Sequence, residues 1–138
     1  MELQVGVKVL LKNPDGKFLL IRRSADKYQS VQQKWDIPGG RINVGTNLRE
    51  NLARELMEET GLTMTSEARA VAAQDIFATE QDRHIVRITY VGTAEGEPKL
   101  SDEHTDYQWV TFVELKQLDN LDRFLKALIE EGIIGENT

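Results

Sequence analysis

The apolar positions of the chain fall into two periodicities. Residues 5–11 are β-branched or aliphatic apart from Gly6 and Lys8, and residues 18–21 are apolar again, with the strong turn signal Asn13-Pro14-Asp15-Gly16 between them. This predicts an opening β-hairpin. Residues 47–60 contain neither Gly nor Pro, space Leu48, Leu52 and Leu56 four apart, and stop at Gly61, where a helix C-cap glycine is expected. Strand-like runs follow at residues 70–77, 85–91 and 107–112, with a turn-rich segment at 92–103. A second helix is predicted over roughly 119–131, where Leu121, Phe124, Leu125, Leu128 and Ile129 form a stripe that Gly132 ends. Residues 24–36 are polar and aperiodic and run into Ile37-Pro38-Gly39-Gly40. They read as a long functional loop in which proline and two glycines exclude regular structure. Hairpin, helix, strands, helix is an α+β order: a mixed sheet covered by a helix on each face, in one domain spanning residues 1–138.

Composition narrows the partners. Seventeen Lys plus Arg against 23 Asp plus Glu give a net charge of −6, which argues against a nucleic-acid polymer. A phosphorylated small molecule would need a cation to bridge it to such a chain. There are no cysteines, so disulfides, thiolate catalysis and zinc-thiolate sites are excluded. The N-terminus lacks a basic n-region and an uninterrupted apolar h-region, and no apolar run is long enough to span a bilayer. The expectation is a cytoplasmic protein without membrane contact, as a monomer or homodimer.

The first helix carries the candidate chemistry. Glu55, Glu58 and Glu59 stand at i, i+3 and i+4, within a sector of about 100°. Leu48, Leu52 and Leu56 fill the adjoining sector, so the carboxylates border the buried stripe. Three like charges so close repel one another, and a hard divalent cation would remove the conflict. Oxygen-only ligands suit magnesium or manganese, and magnesium commonly completes its shell with water and phosphate oxygens. Arg54 can pair with Glu58 at i+4 or hold a neighbouring carboxylate. Taken alone, an acidic run is most often a solvated helix face. Here Gly39 and Gly40 precede the helix and can bring bare backbone amides and carbonyls toward cation or phosphate.

Residues 39–62, GGRINVGTNLRENLARELMEETGL, resemble the Nudix box: Gly, five residues, Glu, seven residues, then Arg-Glu-aliphatic-any-Glu-Glu-any-Gly-aliphatic. Gly40, Arg54, Glu55, Leu56, Glu58, Glu59, Gly61 and Leu62 match in register. Thr46 replaces the box's first glutamate, and its hydroxyl is a candidate helix cap. The resemblance implies a Nudix-like α/β/α sandwich and a divalent-metal-dependent hydrolase. Such an enzyme cleaves a diphosphate bond in a nucleoside diphosphate-X or nucleoside triphosphate. It further implies that Glu55, Glu58 and Glu59 bind the metal with the Gly39 carbonyl, that Arg54 orients the glutamates, and that an acid from outside the box joins them. Glu103 is the first candidate for that acid, as catalytic group and ligand, and Glu80 the second. The alternative is a nucleotide-sensing Nudix module with weak or no catalysis, suggested by Thr46.

Arg22 and Trp35 join Gly39 and Gly40 as candidate substrate contacts. One of Arg22 and Arg23 could reach a phosphate while the other points to solvent by strand alternation, with surface placement of both as the default, and Trp35 either stacks on a base or packs beside a core element. Tyr28 and Phe77 are weaker stacking candidates, and Asp36 either meets a base edge or caps a turn. His84 and His104 have no metal-ligand spacing and read as surface residues. No signature for coenzyme A, NADH or a diadenosine polyphosphate is present. The short chain favours a compact nucleoside triphosphate or related substrate.

Overall fold

A computed structural model of the chain describes residues 1–23 and 34–138. The predicted 24–36 loop therefore falls largely outside the described residues, and Tyr28 lies wholly outside them. Strands β1 (Glu2–Lys12) and β2 (Phe18–Arg23) form the expected hairpin. Its turn closes where the Asn13 side chain accepts from the amides of Asp15 and Lys17. Next come the short β3 (Trp35–Asp36) and β4 (Gly39–Arg41), helix α1 (Leu48–Thr60), β5 (Arg69–Ala78), β6 (Arg83–Thr93), β7 (His104–Val110), α2 (Phe112–Gln117) and α3 (Arg123–Glu130).

The sheet is mixed, in the order β3-β2-β1-β6-β5, with β4 also pairing β1 and β7 also pairing β2. β1 runs parallel to β6 along its whole length, and the remaining pairs are antiparallel. Strand alternation sends side chains to two cores. Val7, Val9, Leu11, Leu19 and Ile21 pack against Leu52 and Leu56 of α1. Leu10, Phe18 and Leu20 point the opposite way, onto Leu115, Leu121, Leu125 and Leu128. A helix layer thus covers each face, an α/β/α sandwich. Among the described residues no helix is long and apolar enough to cross a membrane.

Several boundaries differ from the sequence expectation. Gly39 and Gly40 form strand β4 against β1, because glycine forbids no extended pairing and Pro38, whose missing N–H would weaken a ladder, lies just outside it. Helix α1 is capped by Asn47, whose side chain accepts from the Glu50 amide at 2.8 Å, and not by Thr46. Thr46 closes a turn onto Asn43, and its carbonyl accepts from Asn51. Gly61 does end the helix, in the left-handed conformation at φ +70. Phe112, expected to end a strand, instead opens α2 because Thr111 and Glu114 make a reciprocal capping box. The last helix starts only at Arg123. Asp122 caps it through the amides of Phe124 and Leu125, and residues 120–122 are instead tied by backbone bonds to Trp35.

Candidate active site

The carboxylate edge of α1 is pressed onto the backbone of β4. Glu59 is 6% exposed, and its Oε1 accepts from the Gly39 amide at 2.7 Å. Glu55 lies over Gly40, where a Cβ would stand 2.5 Å from Glu55 Oε2. Gly39 is equally constrained: it sits at φ +146, and its Cβ would fall 1.9 Å from the Val7 carbonyl oxygen. The two glycines therefore serve close approach, of a carboxylate to one and of the central strand to the other.

Arg54 organises the outer edge of the helix. Its Nη1 lies 3.0 Å from Glu55 Oε1 and 3.4 Å from Glu58 Oε2, while Nη2 donates to Asn51 Oδ1 at 3.1 Å. Both pairings anticipated from spacing are thus present at once. The Glu58 side chain is 59% exposed, so of the three carboxylates it is the most solvated. Burial drives the Glu59 pKa upward. Lys8 and the Gly39 N–H oppose the rise, Glu55 adds to it, and the net result is a group pushed up to about 7.

A cavity of about 660 Å³ is lined by Glu55, Glu59, Gly39, Gly40 and Glu103 together with the cations Lys8, Arg23, Arg41 and Arg87. A neighbouring cavity of about 380 Å³ shares Lys8, Arg23, Asp36 and Asp122 with it and adds Lys34, His104, Arg123 and Phe124. Between them lies a buried ionic network. Arg87, 5% exposed, donates to both oxygens of Asp36 at 2.9 and 3.1 Å and stands 3.3 Å from Asp122. Lys8 is 3.4 Å from Asp36. Burial alone would raise the Asp36 pKa, but the Arg87 and Lys8 charges outweigh it and hold the carboxyl well below the usual range. Asp36 also accepts from the Ile37 amide at 2.7 Å, so its carboxylate is engaged by the protein itself.

The structure redistributes several expected roles. Glu103 lines the larger cavity with Glu55 and Glu59, whereas Glu80 stands exposed in a 3-10 turn, Thr79–Gln81. Arg23 lines both cavities; Arg22 lines neither and instead pairs with Asp106 and lies over the Trp35 ring, 4.8 Å from its centroid. Strand alternation, with a register shift between Arg22 and Arg23, accounts for their divergence. Trp35 packs beside the second core and likewise lines neither cavity. Phe77 stacks on His84, which pairs with Asp75 at 2.7 Å. His104, expected at the surface, is 8% exposed, and its Nε2 lies 3.4 Å from Glu59 Oε2. Burial and the Arg23 and Lys8 charges lower its pKa to about 4, against Glu103 and Asp36, which leaves the ring neutral at pH 7.

Sequence reasoning passed over Lys8, Arg87, Asp122 and Phe124. The signal for two of them is present: Lys8 and Arg87 are single cations inside largely apolar strands, VKVLL and IVRITYV, where a charge requires a partner.

In kind, the donors suit a hard divalent cation, since Glu55, Glu59 and Glu103 offer only oxygen to one cavity. In distance, no three His, Cys, Asp or Glu side chains among the described residues converge to enclose an ion. Arg54 holds Glu58 at the solvent edge and pairs with Glu55, which lies over Gly40, while Glu59 leans inward onto Gly39. Magnesium needs few protein carboxylates when water and phosphate oxygens complete its shell, so the set fits such an ion.

Comparison with known proteins agrees with this architecture. The model of the NUDIX domain matches residues 2–131. The crystal structure of the MutT protein from Methanosarcina mazei Go1 superposes with a TM-score of 0.82 at 30% identity, covering 94% of this chain and 92% of that one. The 8-oxo-dGTP diphosphatase of Escherichia coli K12 is 30% identical over 119 residues, 86% of this chain and 87% of the relative. The m7GpppN-mRNA hydrolase NUDT17 of Danio rerio is 43% identical over 61 residues, 44% of this chain; the matched region spans only 20% of that longer protein. With the NUDIX model matching nearly its whole length and the sandwich and box in place, this chain belongs to the Nudix family.

Proposed function

We propose that the protein is a divalent-metal-dependent pyrophosphohydrolase acting on a nucleoside triphosphate or another nucleoside diphosphate derivative. The observation that carries this reading is the shared cavity: Glu55 and Glu59 of the box helix, Glu103 from the 92–103 segment and the Gly39-Gly40 backbone line one space with Lys8 and Arg23. Catalytic function is assigned to that constellation on the strength of its chemistry and of the relatives named as diphosphatases.

In this reading Glu55 and Glu59 hold magnesium or manganese, with Glu58 at the solvent edge as a further carboxylate and Arg54 fixing the angle between Glu55 and Glu58. The bound cation supplies Lewis acidity toward phosphate oxygens and neutralises charge on the leaving group. Lys8 and Arg23 bind the substrate's phosphates as point charge and fork respectively. Glu103 takes a proton from the attacking water as its oxygen bonds to phosphorus and the bridging P–O bond breaks, releasing a nucleotide and a phosphate or pyrophosphate. The adjoining cavity, with the half-buried Phe124 ring in its wall, accommodates the base by stacking. Arg87 and Asp36 are spent on each other, so they shape the wall between the two cavities rather than read the ligand.

The test is a panel of nucleoside triphosphates and nucleotide sugars, assayed for phosphate and pyrophosphate release with magnesium or manganese and with a chelator. Cation-dependent cleavage is expected for at least one class, slower by about 100-fold in Glu58→Gln. Equal turnover by the two proteins would remove Glu58 from the mechanism. Tight nucleotide binding without any turnover would replace the hydrolase with a sensor.

A further inference from the structure

We propose that His104 is a positioning residue that fixes the Glu59 carboxylate by donating from Nε2. This inference rests on Glu59 acting as assigned above. The imidazole is buried at the start of β7, its Nδ1 has no hydrogen-bond partner, and its Nε2 faces Glu59 Oε2 at 3.4 Å. An orphaned buried ring nitrogen costs stability that an apolar side chain of similar size would not incur, so packing alone gives no reason for histidine here. The contact with Glu59 gives one.

Groups from two different strands thereby flank both oxygens of Glu59. The Gly39 amide of β4 binds Oε1 at 2.7 Å, and His104 of β7 faces Oε2. Two donors on opposite sides fix the plane of a carboxylate where one would leave it free to swing. The segment leading to His104 is itself docked on the end of α1. The Lys99 amide donates to the Thr60 carbonyl at 2.8 Å, the Ser101 amide to the Glu59 carbonyl at 3.1 Å, and the His104 amide back to the Ser101 carbonyl at 3.2 Å. Backbone and side chain of Glu59 are therefore gripped by the same short segment that places Glu103 in the cavity. His104 sets the relation between the helix carboxylate and the loop carboxylate, and no proton passes through it.

The reading requires a neutral ring protonated at Nε2, which imidazole ¹⁵N spectra of the metal-free protein report independently of any turnover. The expected His104 signals are those of the Nε2–H tautomer, and they shift on Glu59→Gln. An Nδ1–H tautomer, or signals unmoved by that substitution, would overturn the proposal even if the enzyme proves active. Kinetics supply the second arm, on a substrate from the nucleotide panel. His104→Leu should keep its melting temperature within a few degrees of wild type and lower kcat by about 10- to 100-fold at unchanged KM, whereas His104→Gln, which retains an N–H donor, should recover most of the loss. Equal impairment of both variants would show that only packing matters, and a raised KM with unchanged kcat would make His104 a substrate contact. If wild type cleaves nothing on the panel, the hydrolase reading fails, while the ¹⁵N result still decides the positioning role.

Discussion

Glu59→Gln is expected to lower kcat by about 1,000-fold while leaving the protein folded, the usual scale for removing a charged group from the reacting centre. Glutamine matches glutamate in size, and its carbonyl oxygen can still accept from the Gly39 amide. The substitution removes the charge and turns the oxygen that faces His104 into an amide donor. Because Glu59 is 6% exposed and carries the burden of desolvation seen in its raised pKa, a neutral side chain there should not destabilise the fold. Steady-state kinetics beside a thermal melt separate the two effects. A variant that melts like wild type and turns over at a comparable rate would show that Glu59 takes no part in the reaction.

The largest expected loss of stability comes from a single methyl group. Gly39→Ala would place Cβ 1.9 Å from the Val7 carbonyl oxygen and 2.7 Å from the Lys8 Cα, both backbone atoms. Neither can yield easily, because β1 is pinned between β4 and β6 and Val7 is fully buried beneath α1. The backbone at φ +146 adds conformational strain for any L side chain. Overpacking and strain together should cost about 3–5 kcal/mol, lowering the melting temperature by about 10–20 °C. Gly16 is the control: it also has positive φ, at +77, but no atom lies within 4 Å of its would-be Cβ, so Gly16→Ala should cost about 1 kcal/mol. Urea denaturation of both variants measures the difference. Similar midpoints would mean that β4 and β1 are not as closely apposed as the structure places them.

The features legible in the sequence were those fixed by local periodicity. The leucine spacing of α1 with Gly61 behind it, the hairpin turn at Asn13–Gly16 and the shared edge of Glu55, Glu58 and Glu59 each depend on residues within a turn or two of one another. What escaped depends on partners distant along the chain. His104 reads as a polar loop residue until β7 brings it to Glu59, 45 positions earlier. Asp36 and Arg87 look like a loop acid and a stray strand cation until the fold joins them across 51 positions. The choice between Arg22 and Arg23 turned on strand direction and a register shift, and that between Thr46 and Asn47 on one residue of cap placement. Gly39 and Gly40 were rightly singled out as backbone that must approach something closely, yet their strand pairing was hidden because glycine signals permission for several conformations and dictates none.

The central claim is that the Glu55–Glu59 edge of the cavity is a cation site serving a nucleotide. Manganese titration in the presence of a non-hydrolysable nucleoside triphosphate analogue, followed by electron paramagnetic resonance, tests it most directly. Stoichiometric binding to wild type is expected, weakened by about tenfold or more in a Glu55→Gln, Glu59→Gln double variant that retains the wild-type fold. Equal manganese affinity in the two proteins would contradict it.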